Sequence, residues 1–162
     1  MLKEVTGDIL LSNAHAIAHG IAPHDDFKQG LALSLRQQWP GMYKDFRHYC
    51  QTYNPKPGSL WAWKGPGSPI ILSLFTQEPA EDRRGKPGNA TVPYLNHALQ
   101  ALKKELKTQQ VSSLALPRLA TGVGGLSWEE VKPLIAQTLG DADIPVYVYS
   151  TFKKGAVADE KV

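Results

Sequence analysis

A glycine-rich turn in the last third of the chain has the residue types that bind an anion. Three glycines occur between residues 122 and 125, after an apolar run at 111–116 and before a Ser127-x-x-Glu130 capping box. Glycines allow positive φ and remove the Cβ atoms that would hold a ligand away, so backbone N–H groups can face a phosphate. The order of strand, loop and capped helix also brings a helix amino terminus close to the loop, which favours anions further.

Two phosphate motifs are excluded for this turn. It lacks the Gly-Lys-Ser/Thr ending of a P-loop, and it lacks the third glycine of a dinucleotide fingerprint. A plain tight connection between a strand and a helix explains the same glycines. The residues alone therefore leave two interpretations open, an anion site and a structural turn.

Titratable residues near the start of the chain are the other candidates for chemistry. His19, Asp25, Asp26 and Lys28 lie close together in the sequence. The pKa of an imidazole suits general acid–base catalysis, but a histidine at a strand end also serves as an ordinary hydrogen-bonding residue, and paired aspartates suit a solvated turn. His15 and His19 have no third ligand at a suitable spacing, so we predict no metal site.

Strands and helices alternate along the chain, and this order must position those loops. Residues 15–19 alternate as in a strand, with Ala16 and Ala18 on one face. We predict an α/β fold with a largely parallel or mixed sheet covered on both faces, in which ligands meet the carboxyl ends of the strands. That rule brings together the loops after His19, Phe75 and Leu116. Further strands are expected at 2–5, 59–63, 70–75, 111–116 and 145–149, and helices at 30–39, 42–53, 92–106 and after Ser127.

Composition is that of an ordinary globular domain. The chain has 162 residues, of which 42% are hydrophobic and 20% charged, and a net charge of +3. The single Cys50 excludes an internal disulfide and a multi-cysteine metal site. Basic residues are scattered, whereas a nucleic-acid-binding surface concentrates them, so direct nucleic-acid binding has no support. Without a secretory leader, a long apolar run or a lipidation signal, we expect a cytoplasmic monomer with no membrane partner.

Several motifs resemble those of the macrodomains, a family that binds ADP-ribose. The most specific is Pro117-Arg118-Leu119-Ala120-Thr121-Gly122-Val123-Gly124-Gly125-Leu126-Ser127-Trp128. It is accompanied by Gly7-Asp8-Ile9-Leu10, by His19-Gly20 with a loop ending in Gly30-Leu31-Ala32, and by Phe75-Thr76. The resemblance covers nearly the whole chain and is greatest to the branch of terminal ADP-ribose protein glycohydrolases and DNA ADP-ribosyl glycohydrolase antitoxins. It implies a three-layer α/β macrodomain at 1–152, with a mixed central sheet flanked by helices. From the residues themselves we expect 153–162 to be a flexible tail.

The resemblance also implies a role for each matching position. Asp8 would accept a hydrogen bond from the adenine amino group, with the Ile9 N–H beside it, and Tyr149 would wall the adenine pocket. The glycine loop would hold the diphosphate, and the segment from His19 to Gly30 would border the distal ribose. His19 and Lys28 are the candidates for catalysis. The residues expected to bind the ligand are Asp8, Ile9, His19, Gly20, Gly30, Thr76, Ala120, Thr121, Gly122, Val123, Gly124, Gly125, Leu126 and Tyr149.

Two departures from the closest branch bear on catalysis. That branch offers a lysine where this chain has Gln77, and some members have an aspartate where it has Gly124. An amine can attack or polarise the anomeric carbon and a carboxylate can move its proton, whereas glutamine does neither. The hypotheses are a hydrolase of ADP-ribosyl linkages or ADP-ribose 1''-phosphate, a reader of ADP-ribosylated protein or nucleic acid that does no chemistry, and a general adenine nucleotide or RNA-end binder. None of them requires a cofactor.

Overall fold

A computed structural model describes residues 1–81 and 87–161, which form a six-stranded sheet covered by helices on both faces. A single 3₁₀ turn, Ile9–Leu11, follows the first strand. The strands are β1 (Leu2–Gly7), β2 (Ala16–Ile21), β3 (Leu60–Trp63), β4 (Ile70–Phe75), β5 (Leu114–Pro117) and β6 (Val146–Phe152). The helices are α1 (Gly30–Gln38), α2 (Pro40–Tyr53), α3 (Val92–Thr108) and α4 (Trp128–Leu139).

The order of strands in the sheet is β1-β6-β5-β2-β4-β3. The edge strand β3 is antiparallel to β4, and the other neighbouring strands are parallel. The predicted α/β fold with a mixed sheet between helices is therefore confirmed. Because the five parallel strands share one direction, their carboxyl ends lie at the same edge, where α/β sheets bind ligands.

The sheet separates two hydrophobic cores, and the alternation in β2 assigns its side chains to them. Ala16 and Ala18 belong to the core under α3 and α4, which contains Leu99 and Val131. Ile17 belongs to the opposite core, under α1 and α2. The predicted alternation is confirmed, and its reason is that side chains in a strand point to the two faces in turn. A strand buried on both faces is almost wholly apolar, as is β4, in which Ser73 alone is polar.

The helices begin at or within two residues of the predicted positions, where local sequence signals mark their starts. Pro40 stands in the first turn of α2, where its missing N–H costs nothing, so the second helix begins two residues before the predicted Met42. Thr91 caps α3 by accepting a hydrogen bond from Tyr94 N at 3.2 Å. Residues 78–89 carry charges, two prolines and two glycines, from which the sequence predicts a loop, and this segment lies partly outside the described residues. At its two ends, Gln77 and Ala90 form an antiparallel bridge with each other.

The segment after β6, which we expected to be a flexible tail, lies in the structure against β1 and β6. We call residues 153–161 the C-terminal strap. Its backbone exchanges hydrogen bonds with Gly7 and Asp8, and Glu160 accepts hydrogen bonds from the segment after the 3₁₀ turn. Ala158 packs on the core under α1 and α2. The strap is thus held against the edge of the sheet that β1 and β6 form.

Candidate functional site

The loops after β2, β4 and β5 meet at the carboxyl edge of the sheet. A Cβ atom placed on Gly20 would lie 2.9 Å from Thr76 Oγ1 and 3.6 Å from the Ala120 nitrogen. Only a glycine at this position lets the three loops approach so closely. Thr76 is fully buried, and its hydroxyl has no hydrogen-bond partner among the described residues. A buried hydroxyl left without a partner costs about 1–3 kcal/mol.

The glycine loop presents a run of backbone donors. Ala120 has a φ of 62° and Gly125 a φ of 81°. The loop closes on itself through Gly125 N to Gly122 O at 3.1 Å and Leu126 N to Ala120 O at 3.0 Å. The N–H groups of residues 121–124 have no acceptor in the described part of the chain. Successive unpaired N–H groups in a turn form a concave anion site.

The neighbouring helix contributes less to anion binding than its position suggests. Ser127 and Glu130 form the predicted capping box, in which Glu130 N donates to Ser127 Oγ at 3.2 Å and Ser127 N donates to Glu130 Oε1 at 3.3 Å. Glu129 adds a second carboxylate to the first turn of α4. These groups already complement the positive end of the helix dipole. The donors for an anion are therefore the loop amides.

The loop glycines have different roles. A Cβ on Gly124 would lie 2.6 Å from Ala120 O and 2.9 Å from Ala90 Cβ, so this glycine is required by packing. Its carbonyl also accepts a hydrogen bond from Ala90 N at 2.9 Å. Gly122 is exposed, and a Cβ there would meet nothing within 4 Å. Gly122 is thus the position where a side chain can test the loop without disturbing it.

Asp8 lies at the other end of the same edge. The residue is 9% exposed. Its Oδ1 accepts a hydrogen bond from Leu10 N at 3.1 Å and its Oδ2 from Gly155 N at 3.1 Å. A carboxylate has about four lone-pair positions, so two remain for further donors. Ile9 is buried directly after it.

Two aromatic residues near Asp8 differ in their access to solvent. Tyr149 is 5% exposed, its hydroxyl donates to Glu160 Oε2 at 2.6 Å, and burial raises the pKa of this phenol. Phe152 is 68% exposed and pairs with Gly7, next to Asp8. Phe152 therefore offers an exposed aromatic face beside Asp8, which the sequence analysis missed. The available signal was its place at the last position of the strand. Contact of Tyr149 with a ligand stays a prediction.

The first loop, at residues 22–29, is built around a buried aromatic residue. Phe27 is fully buried, with its ring 4.7 Å from the Phe46 ring centroid. Phe27 has a φ of 55°, and its N–H donates to Asp25 Oδ1 at 2.7 Å. Burial raises the pKa of the Asp25 carboxyl. Lys28 is exposed and pairs with Asp26, with 3.3 Å between Nζ and Oδ2. Gly30 begins α1 with a φ of 62°.

His19 lies inside the fold. It is 2% exposed, and its Nε2 lies 2.7 Å from Ser73 Oγ. Its ring meets the Phe27 ring edge to face, and burial lowers the pKa of the imidazole to about 4. A neutral, enclosed imidazole does not meet a ligand at the edge of the sheet. We therefore no longer regard His19 as a catalytic residue, and assign it a packing role beneath the first loop.

Gln77 is also occupied by the fold. It is buried, and its Nε2 donates to Gly88 O at 3.1 Å, next to the bridge with Ala90. The side chain thereby joins β4 to the residues before α3. Gln77 holds the loop beside Gly124 and supplies no nucleophile. The structure gathers Gly20, Thr76 and residues 120–126 at the carboxyl edge of the sheet, with Asp8 and Ile9 at the end of β1. That these residues contact a ligand stays a prediction.

No helix in residues 1–81 and 87–161 has the length and apolarity to cross a membrane. Within the same ranges, His, Cys, Asp and Glu side chains form no group of three or more that could hold a metal ion.

Known proteins resemble the chain in sequence and in structure. A DNA ADP-ribosyl transferase–DNA ADP-ribosyl glycohydrolase fusion protein of Thermosipho africanus is 25% identical over 94% of this chain and 42% of its own length. The structure of Thermosipho africanus DarTG in complex with ADP-ribose has a TM-score of 0.80, at 22% identity over 94% of this chain and 42% of that one. The macrodomain of Thermus aquaticus DarG has a TM-score of 0.80, at 25% identity, over 93% of this chain and 98% of that one.

A human relative matches over most of its own length. ADP-ribose glycohydrolase OARD1 is 26% identical over 90% of this chain and 89% of the human protein. By contrast, the chain spans only about two fifths of the length of the DNA ADP-ribosyl glycohydrolases that it matches. The family model of the Macro domain matches residues 23–135, which include the first loop, β4 and the glycine loop. With this match, the mixed sheet and the loops that converge at its edge, the chain belongs to the macro domain family.

Proposed function

We propose that this chain binds ADP-ribose, free or attached to a macromolecule, along the carboxyl edge of its sheet. The diphosphate lies on the amides of residues 121–124, and the adenine lies between Asp8 and Phe152. The distal ribose reaches the first loop above Gly20 and Thr76. The single observation that carries the proposal is the run of loop N–H groups without a protein acceptor.

The hydrogen-bond donors and acceptors of the site suit a ligand that carries negative charge in its middle and a purine at one end. Hydrogen bonds to a charged group contribute about 1.5–3 kcal/mol each, and a diphosphate can accept several from the loop. Asp8 provides acceptors for the exocyclic amino group of adenine, and the exposed Phe152 ring provides a stacking surface. The relative from Thermosipho africanus was solved with ADP-ribose bound.

Isothermal titration calorimetry tests this proposal. We expect ADP-ribose to bind, and we expect ADP and oligo(A) to compete poorly, because they lack the distal ribose that reaches the first loop. Equal competition by ADP would indicate a general adenine nucleotide site. Absence of ADP-ribose binding by the folded protein would refute the proposal.

A second candidate function, hydrolysis of an ADP-ribosyl linkage, is favoured by Asp25. This carboxyl is partly buried in the first loop and its pKa is raised, as general acid–base catalysis near neutral pH requires. In this proposal Asp25 activates a water molecule at the distal ribose. The lysine route is not available, because Gln77 and Gly124 stand at the two positions concerned.

Turnover assays separate this candidate from a reader that does no chemistry. The substrates are ADP-ribosylated DNA, a peptide ADP-ribosylated on glutamate, and ADP-ribose 1''-phosphate. We expect Asp25→Asn to lower turnover more than affinity, because its amide oxygen can still accept the Phe27 N–H. No turnover by the unmodified protein would favour the reader. An adduct trapped by borohydride would show that a lysine, such as Lys28, acts as nucleophile.

A further inference from the structure

The C-terminal strap begins with a turn that hydrogen-bonds to Asp8. Lys153 N donates to Gly7 O at 3.0 Å, and Asp8 N donates to Ala156 O at 2.8 Å. Within this turn Gly155 has a φ of 75°, and its N–H donates to Asp8 Oδ2 at 3.1 Å. Positive φ at this position favours glycine. The strap therefore contacts both the backbone and the carboxylate of Asp8.

The strap and β1 fit closely at Gly7. A Cβ on Gly7 would lie 2.8 Å from Ala158 Cβ, 2.9 Å from Ala158 N and 3.0 Å from Ala156 O. Any other residue at position 7 would force the strap away from the strand. Gly7 thus serves to admit the strap, in addition to its place before Asp8.

Glu160 anchors the far end of the strap. Its Oε2 accepts hydrogen bonds from Ser12 Oγ at 2.5 Å and from Tyr149 Oη at 2.6 Å, and its Oε1 accepts one from Asn13 N at 3.0 Å. A carboxylate that accepts several hydrogen bonds is held in one orientation, since each bond to a charged acceptor is strong. The anchor joins the strap to β6 and to the segment that follows the 3₁₀ turn, which Asp8 caps.

We propose that the C-terminal strap is a positioning element of the adenine subsite, and that Gly155 and Glu160 are its positioning residues. This inference rests on the function proposed above. Asp8 Oδ1 is held by Leu10 and Oδ2 by Gly155, so neither oxygen can rotate freely. The remaining lone pairs then point in fixed directions toward a base on Phe152. The strap therefore sets how well the site distinguishes an amino group from a carbonyl on the purine.

The test compares two ligands, ADP-ribose and its inosine counterpart, in which a carbonyl replaces the exocyclic amino group. The proteins are the full chain, Glu160→Ala, Glu160→Gln, and Asp159→Ala as a matched control. The Asp159 side chain lies on the same strap and is 72% exposed; its contacts are with Lys3 Nζ at 3.8 Å and with the Lys161 N–H of the strap itself at 3.0 Å, and none is with Asp8 or the 3₁₀ turn. Affinities are measured by calorimetry, and thermal unfolding identifies any variant that has lost its fold.

We expect the full chain and Asp159→Ala to bind ADP-ribose at least tenfold more tightly than the inosine ligand. In Glu160→Ala this ratio should fall below threefold, while affinity for the inosine ligand stays within threefold of the full chain. Glu160→Gln retains one acceptor oxygen and should give an intermediate ratio. A general loss of structure would lower both affinities together and leave the ratio unchanged.

A chain ending at Phe152 provides a second variant, and its expected ratio is close to one. If folded Glu160→Ala keeps the full ratio, the strap only covers the sheet and the inference is overturned. If either variant binds ADP-ribose more tightly, the strap competes with the base, which also overturns it. A full chain that binds neither ligand refutes the proposed function and this inference with it.

Discussion

Gly122 is the position at which one charge tests the proposed phosphate site. A Cβ there would meet no other segment within 4 Å and the position has no positive φ, so we expect Gly122→Glu to leave the fold intact. We take a separation of about 5 Å between the new carboxylate and a phosphate bound to the loop amides. At an effective dielectric constant of about 40, each pair of charges at that distance costs about 1.7 kcal/mol. Two phosphate charges give about 3 kcal/mol, or roughly a 150-fold loss of affinity.

The matched controls separate charge from size. Gly122→Gln has the same shape without the charge, and Gly41→Glu adds the same charge to the exposed first turn of α2, outside the three loops. We expect titration of ADP-ribose to show a large loss for Gly122→Glu, a small one for Gly122→Gln and none for Gly41→Glu. The difference between the first two should shrink in 1 M salt, where the Debye length is about 3 Å. Equal affinities for the Glu and Gln variants would refute the phosphate site.

Four further predictions concern single residues. Phe152→Ala should weaken ADP-ribose binding by about 1–3 kcal/mol, the range for base stacking on an aromatic ring. Tyr53 is a comparably exposed aromatic residue, at 69%, and Tyr53→Ala should have no effect in the same titration. The pKa of His19 in the folded state is about 4, below its ordinary 6.5. Its contribution to stability is therefore fully present above pH 6.5 and is lost as the pH falls through 4. The total loss in the free energy of unfolding is about 3 kcal/mol. Urea unfolding at pH 7, 5 and 4 should show this loss in the natural protein and a smaller one in His19→Gln; the same loss in both would exclude His19 as its source. Gly124→Ala should lower the urea midpoint, because its Cβ would lie 2.6 Å from a backbone oxygen, and an unchanged midpoint would contradict that packing. If Asp25 activates water, turnover should rise with pH through a pKa above that of an ordinary aspartate, and a flat profile would remove it from the mechanism.

Local patterns in the sequence were sufficient to predict the α/β fold and the loops at the carboxyl edge of its sheet. The alternation around Ile17 assigned the two faces of β2, because side chains of a strand alternate whatever surrounds them. The Ser127 capping box marked the start of α4, since its hydrogen bonds span only three residues. The rule that ligands meet the carboxyl ends of parallel strands then brought distant loops together. These inferences need only short-range geometry and the order of elements.

Tertiary structure decided how each candidate residue is used. His19 has the same sequence signature whether it faces a ligand or the core, and its burial depends on Phe27 folding back over it. The Tyr149 hydroxyl binds Glu160, which lies eleven residues further along the chain, and no pattern within β6 indicates this contact. The choice between Gly122 and Gly124 as the open position depends on which one faces another segment. Burial is set by segments remote in sequence that pack together, and periodicity along one segment carries no information about them.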